Sequence, residues 1–144
     1  MSQDIINKAK NIFIVNIREP EENTFEFIMV IGKVLPAGKF GKNNGSELAQ
    51  IIYDERCEQY KIYFDTYVAY SVVNESYENI KGKFEGEKIR IYSESNFLKY
   101  VESDTLATEE YPKKFKHYCF ISLNHIINVA SEEKPKITKI ANYS

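Results

Sequence analysis

The chain is poor in the residues that build disulfide scaffolds and metal sites. It has two cysteines, two histidines and no tryptophan among 144 residues. Cys57 and Cys119 are too few for a disulfide framework. A single bridge and two free thiols both fit this count, and two free thiols in a reducing cytosol are the simpler interpretation. The cysteine usage therefore predicts an intracellular protein that folds without disulfides.

Long hydrophobic segments are also missing. No apolar run approaches the roughly 20 residues of a membrane span. The first ten residues lack the apolar core and the small-residue cleavage site of a signal peptide. We therefore predict a cytoplasmic protein that does not associate with membranes.

The chain has no excess of positive charge. Its formal net charge is −2 and its pI is about 5.8. Such a balance gives no general attraction to phosphate backbones or to anionic lipid. Nucleic acid is therefore not expected as a partner.

What the chain does contain is an ordinary globular composition with many aromatic residues. Hydrophobic residues make up 43% and charged residues 28%, with 11 tyrosines and 9 phenylalanines. The length predicts one domain over residues 1–144. Tyrosine combines an apolar ring with a polar tip and suits half-buried strands. The composition thus favours a β-rich domain.

The first half of the chain shows a helix followed by alternating strand patterns. Ser2 or Asp4 is expected to cap a short helix that carries Ile5, Ile6 and Ala9 on one side. Residues 11–17 and 25–34 read as strands of a hairpin, joined by the acidic turn 19–23. A loop rich in glycine and asparagine follows at 35–47.

The segment from Tyr60 to Val73 fits two patterns. Its apolar residues match a helical stripe, and they also match two strands separated by a turn near Asp65-Thr66. β-Branched and aromatic residues lose rotamer freedom in a helix and pack well on a pleated sheet. We therefore predict two paired strands here.

The second half predicts further strands and one helix. Residues 81–86 read as a loop, and 87–92 as a strand with Ile89 and Ile91 facing inward. Ser95 is expected to cap a short helix whose inward residues are Phe97, Leu98 and Val101. Strands at 116–122 and 125–130 precede a charged tail. The sum is an α+β fold, mainly antiparallel, with seven or eight strands in a sheet that curls toward a barrel and one or two short helices.

Polar groups at the ends of the buried strands are the candidate binding residues. A pure core has no need of Asn74 and Glu75 at the end of one strand, or of Asn124 and His125 beside another. The candidate ligand- or partner-binding residues are Asn74, Glu75, His117, Tyr118, Asn124 and His125.

The two histidines raise the question of a metal site, with Asp104, Glu75 or Cys119 as further ligands. A two-residue turn at Leu123-Asn124 pairs His117 with Ala130 and puts the two imidazoles on opposite faces. A three-residue loop would return them to one face. We expect strand-end histidines without a metal.

Other candidate chemistry has a simpler explanation. Cys119 shares a strand face with His117, but side chains at i and i+2 lie too far apart for an easy Cys–His pair. The acids of Asp54-Glu55 and Asn74-Glu75 could come together as in a glycosidase, but the sequence does not fix the distance between them. The glycine-rich run at 38–45 lacks the end of a P-loop, and the basic run at 113–116 reads as a solvated loop. No catalytic residue, cofactor or metal is therefore predicted.

Several short motifs resemble a group of small, uncharacterised bacterial proteins. The matching pieces lie within residues 48–136 and are Asp54-Glu55, the run from Tyr70 to Tyr77, Ser95 to Leu98 with Tyr100, His117-Tyr118, Asn124 to Ile127, and Val129. The group commonly has aspartate where this chain has Asn128, so a role for a carboxylate at that position is not carried over. The resemblance implies no established activity. It suggests the immunity proteins of toxin systems by association.

Three functions follow as expectations. The first is a non-enzymatic protein-binding module of toxin-immunity type, in which an acidic, tyrosine-rich surface binds a basic partner. The second is a small-ligand binder that uses a barrel mouth lined by tyrosine and the Asn124-His125 edge. The third is a hydrolase or metal enzyme centred on His117 and His125.

Overall fold

The computed structural model describes residues 1–35, 50–54, 56–107 and 114–140. Most of the predicted loop at 35–47, together with Glu55 and Lys113, lies outside the described residues. The described elements are the helices α1 Ser2–Lys8 and α2 Asn96–Asp104, a one-turn 3₁₀ helix Glu75–Tyr77, and the strands β1 Ile12–Arg18, β2 Phe25–Ile31, β3 Lys33–Leu35, β4 Gln50–Ile52, β5 Glu58–Phe64, β6 Ala69–Asn74, β7 Gly82–Gly86, β8 Ile89–Ser95, β9 Lys116–Ile121, β10 His125–Ser131 and β11 Lys136–Ile140.

The strands form two antiparallel sheets and a small ladder. Sheet 1 has the order β1-β2-β5-β11, and sheet 2 has the order β6-β10-β9-β8-β7. Strands β3 and β4 pair with each other. The prediction of an α+β fold, mainly antiparallel with two short helices, is confirmed. The expected curl toward a barrel is wrong, because the described strands are divided between separate sheets that do not close.

The core lies between the two sheets. Alternate residues point inward from each strand, so aromatic rings of opposite sheets meet. The Phe27 and Phe120 ring centroids lie 4.9 Å apart, and those of Phe64 and Tyr118 lie 5.6 Å apart. At one end of the sandwich the Phe25 ring stacks on Tyr70 at 3.9 Å. Tyr118, a candidate binding residue, is therefore part of the core.

A second, smaller core lies on the outer face of sheet 2, under α2. The Ser95 hydroxyl accepts a hydrogen bond from the Leu98 N–H, which confirms the predicted cap of this helix. Val101 is fully buried against Ala130 of β10, with Phe97 and Leu98 packed around them. The predicted inward face of α2 is thus confirmed.

The strands β5 and β6 were predicted as a pair, and this is wrong. Both strands exist, but β5 belongs to sheet 1 and β6 to sheet 2. The intervening residues from Asp65 to Val68 cross from one sheet to the other. Because of this crossing, β5 packs in sheet 1 and β6 packs in sheet 2, whereas a hairpin would keep both strands in one sheet.

Several other local predictions differ from the structure, and a further one is confirmed. The expected loop at 81–86 contains β7, and the charged tail contains β11. The strand expected over 25–34 is divided into β2 and β3. The predicted hairpin of β1 and β2 is confirmed. Helix α1 begins after Met1 with no side-chain cap, so neither Ser2 nor Asp4 has the expected role.

The turn between β9 and β10 closes the free edge of sheet 1. The Leu123 N–H donates to the Ile12 carbonyl at 2.8 Å. The Asn124 amide pairs with the backbone of Ile14 in both directions, accepting from its N–H at 2.9 Å and donating to its carbonyl at 2.8 Å. This turn therefore satisfies backbone groups of β1 that would otherwise form an open edge.

Candidate functional site

The strongest polar cluster of the described chain is centred on His117, on the outer face of sheet 2. Its Nδ1 lies 2.7 Å from the Ser95 hydroxyl, and its Nε2 lies 2.7 Å from Oδ1 of Asn128. The Asn128 amide nitrogen donates to the Ser71 hydroxyl at 3.2 Å. These four side chains form one hydrogen-bonded chain across four strands, from the end of β8, where α2 begins, through β9 and β10 to β6.

The network defines the protonation of the ring. Because Asn128 presents its carbonyl oxygen, Nε2 of His117 must carry the proton and donate it. Nδ1 is then an acceptor for the Ser95 O–H group. Burial lowers the pKa of His117 to about 4, so the imidazole is neutral at physiological pH.

A hydroxyl, an imidazole and an amide in sequence have the connectivity of a nucleophile, a base and an orienting group. Two features oppose that chemistry. The His117 ring is fully buried and is packed by the rings of Tyr92 at 4.8 Å and Phe97 at 4.7 Å. Its lowered pKa also makes it a weak base. The arrangement is suited to holding α2 on sheet 2.

The predicted candidates lie in three places. Asn74, Glu75, Asn124 and His125 lie together at one end of sheet 2, where His125 pairs with Asn74. The Glu75 N–H donates to the Asn124 carbonyl at 3.2 Å. Both amides bind backbone, since Asn74 caps the 3₁₀ helix through the Ser76 N–H and Asn124 holds β1. His117 and Tyr118 lie away from this group.

The two histidines lie on opposite faces of sheet 2. The pairing of His117 with Ala130 and the bond from the Ser122 N–H to the His125 carbonyl are those of the two-residue turn and exclude the alternative three-residue loop. Among the described residues, no group of three or more His, Cys, Asp or Glu side chains could hold a metal ion. The buried Nδ1 of His125 has no hydrogen-bond partner in the part of the chain that the structure describes.

The two cysteines and the Asp54 carboxylate are not free for catalysis. Cys57 and Cys119 are both buried and free. Burial raises the pKa of the Cys119 thiol to about 12, so this group is protonated and a poor nucleophile. Hydrogen bonds from Arg56 hold the pKa of Asp54 below its ordinary value.

Tyrosines and acids meet on a surface that the sequence did not reveal. The Glu19 carboxylate accepts hydrogen bonds from Tyr67 at 3.0 Å and from Tyr70 at 2.8 Å. Nearby, the Tyr63 hydroxyl donates to Asp65 at 3.3 Å. We call this surface the acidic tyrosine face, and it consists of Glu19, Glu21, Tyr63, Asp65, Tyr67 and Tyr70. Its parts lie about 50 residues apart in sequence, so no local pattern could have shown it.

On this face the hydroxyls of Tyr67 and Tyr70 are neutral donors to the Glu19 carboxylate. The hydrogen bond to Glu19 raises the pKa of Tyr70 to about 12. Burial and the same carboxylate raise the pKa of Tyr67. The two hydroxyls therefore stay protonated and donate to the Glu19 carboxylate, which fixes the rings in one orientation.

Comparison of the chain with protein-family models, curated proteins and solved structures finds no match. Among the described residues, no helix is long and apolar enough to cross a membrane.

Proposed function

We propose that this protein is a non-enzymatic protein-binding module of toxin-immunity type. It binds a basic partner through the acidic tyrosine face. The observation that carries the proposal is the pair of hydrogen bonds from Tyr67 and Tyr70 to Glu19, which preorder two large amphipathic side chains around a negative charge. Tyrosine is enriched at protein interfaces because it provides contact area at low entropic cost.

The charge of this face supports a basic partner. Among the described ion pairs, Glu26 is neutralised by Arg18 at 2.8 Å and by Lys61 at 3.9 Å. None of the ion pairs formed within the described ranges includes Glu19, Glu21 or Asp65. Glu19 and Asp65 thus provide negative charge that steers and orients a positive surface, whereas Glu21 shares a cavity wall with Lys61 and Lys136.

The buried chemistry favours binding over catalysis. His117 uses both ring nitrogens to hold α2, and the Cys119 thiol is protonated and buried. The Cys–His pair considered for nucleophilic chemistry therefore consists of a ring held by two hydrogen bonds and a thiol that stays protonated. An inhibitor of a toxin needs a complementary surface and no reacting group.

The test is capture and neutralisation of the partner. Tagged protein is used to recover partners from the native host, and each recovered protein is then expressed alone. We expect a basic protein that arrests growth, and co-expression of this chain restores growth. Recovery of no such protein would overturn the proposal.

Matched charge variants locate the surface. Glu19→Lys, Glu21→Lys and Asp65→Lys in one variant should abolish capture and protection. The control carries Asp4→Lys, Glu87→Lys and Asp104→Lys, three exposed acids elsewhere, and should retain both. Equal behaviour of the two variants would exclude the acidic tyrosine face as the binding surface.

A further inference from the structure

A groove lies between α2 and the hairpin of β7 and β8. It consists of two cavities of about 570 Å³ and 540 Å³, which share Ser93, Leu98 and Glu102 in their walls. Each cavity is large enough for several side chains of a peptide or for a small ligand. The groove is independent of the acidic tyrosine face in the residues that form it.

The floor of the groove is aromatic and apolar. The Phe84 ring lies 5.0 Å from the ring of Tyr92 and is 42% exposed. Leu98 from α2 and Phe115 before β9 complete the floor. The Arg90 guanidinium lies 4.2 Å from the centroid of the Phe84 ring. An exposed aromatic ring in a concave site provides an anchor for an apolar side chain.

The rim of the groove reverses the overall charge of the chain. Its lysines are Lys81, Lys83, Lys99, Lys114 and Lys116, against the glutamates Glu85, Glu94 and Glu102. One ion pair joins the two groups, between Lys83 and Glu94 at 3.6 Å. The groove thus has an excess of positive charge on a protein whose net charge is −2. This complementarity selects an acidic ligand.

The strand β7 borders this groove and is an edge strand of sheet 2, so its outer backbone groups can pair with a further strand. All five of its residues are exposed, and within the described residues it pairs with β8 alone. Gly82 and Gly86 close its two ends, where an added Cβ atom would lie about 2 Å from the carbonyl oxygens of Glu94 and Ile89. Backbone groups on the outer side of such an edge are free to pair with another strand.

We propose that β7 accepts an extended acidic segment of the partner protein as a sixth strand of sheet 2. Backbone hydrogen bonds to β7 provide affinity, an apolar side chain of the segment binds over Phe84, and its carboxylates face the lysine rim. This inference rests on the proposed function in taking the ligand to be part of a protein partner.

The test uses a synthetic peptide, because it isolates the segment from the rest of a partner. The probe is a fluorescent seven-residue peptide, Glu-Thr-Glu-Val-Phe-Thr-Glu with blocked ends, whose glutamates and phenylalanine share one face of an extended chain. Binding is followed by fluorescence anisotropy. We expect saturable binding that weakens as salt increases. Two control peptides have lysine in place of each glutamate, or proline in place of the central valine and its neighbours. Both should fail to bind.

Protein variants assign the site. Lys81→Glu with Lys99→Glu, in the cavity wall beside the start of β7, should weaken binding by about tenfold or more, which corresponds to about 1.4 kcal/mol. The control with Lys10→Glu and Lys134→Glu makes the same charge change at two exposed lysines away from the groove. Backbone amides of β7 should also exchange hydrogen more slowly when the peptide is bound.

Each contrary result overturns the inference. Absence of saturable binding, or equal binding of the lysine peptide, excludes recognition of an acidic segment. Equal binding of the proline peptide would assign the groove to anionic ligands without strand pairing. The triple variant at Glu19, Glu21 and Asp65 should still bind the peptide, so failure of the proposed function and failure of this inference are distinguishable.

Discussion

The hydroxyl of Ser95 lies 2.7 Å from Nδ1 of His117 while it also caps α2. One oxygen atom therefore joins the start of a helix to the buried imidazole beneath it. The hydrogen bond from Nε2 to Asn128 extends this connection to the next strand of sheet 2. The position of α2, and with it one wall of the lysine-rimmed groove, depends on this network.

Replacement of Ser95 should therefore destabilise the fold. Ser95→Ala removes the cap, which is worth about 1 kcal/mol, and leaves a buried acceptor unpaired at a cost of about 1–3 kcal/mol. We expect a loss of about 2 kcal/mol or more in urea unfolding. The control Ser103→Ala, at an exposed position near the end of α2, should change stability by less than about 0.5 kcal/mol. Equal stabilities of the two variants would contradict a role for this network.

The pH dependence of stability follows from the same histidine. The pKa of His117 is lowered by burial to about 4 in the folded protein, against an ordinary value of 6.5. The folded state therefore prefers the neutral ring, so its stabilising contribution is complete above pH 6.5 and is lost as the pH falls toward 4. The loss amounts to roughly 3 kcal/mol, from 1.36 kcal/mol for each pKa unit.

The measurement is the free energy of unfolding between pH 7.5 and 4 for the wild type and for His117→Gln. Every other ionisable group is the same in both proteins, so the difference between the two curves isolates the histidine. The wild type should lose more stability than the variant below pH 6.5. Parallel curves would show that the ring is charged in the folded state.

Local chemistry in the sequence accounts for the elements around this network. The serine before an apolar run predicted the start of α2, and alternation predicted β8 with Ile89 inside. The sequence left two registers open for β9 and β10, and the structure has the one with a two-residue turn at Leu123-Asn124, which places His117 and His125 on opposite faces. For α2 and β8 the determining signal lies within a few residues.

Long-range placement could not be predicted from such signals. Nothing in the residues from Asp65 to Val68 distinguishes a hairpin from a crossing between sheets. The strand β7 was missed because Gly82 and Gly86 are typical of a loop, although a close approach to the β8 backbone requires them. The bonds of Glu19 to Tyr67 and Tyr70 join separate turns, so the acidic tyrosine face required the folded structure.

Asn7 provides a third prediction, because one oxygen of its side chain accepts three backbone hydrogen bonds. The N–H groups of Glu87, Lys88 and Ile89 lie 3.2, 2.8 and 2.8 Å from its Oδ1 atom. Three convergent N–H groups form a site that favours an anion. Asn7→Ala should cost about 2–3 kcal/mol, since each unpaired group is expensive.

Asn7→Asp separates this role from simple packing. A carboxylate retains the acceptor and strengthens each bond, so this variant should be close to the wild type in stability. Thermal unfolding of the three proteins at pH 7 makes the comparison. A variant with aspartate as unstable as the one with alanine would show that the converging N–H groups do not bind the side chain in solution.

Asn124 offers the sharpest test of how the two sheets are joined, since its amide both accepts from and donates to Ile14 across 110 residues of sequence. Asn124→Asp keeps the acceptor but replaces the donor by a carboxylate oxygen that faces the Ile14 carbonyl. We expect a loss of about 2 kcal/mol or more in urea unfolding, because a buried carbonyl loses its partner and meets a negative charge. Faster hydrogen exchange at the Ile14 amide should locate the opening at the edge of β1.

The control Asn79→Asp changes the same groups at an exposed position and should leave both measurements near the wild-type values. A wild-type exchange rate at Ile14 in Asn124→Asp would mean that the Asn124 side chain does not hold this edge of sheet 1.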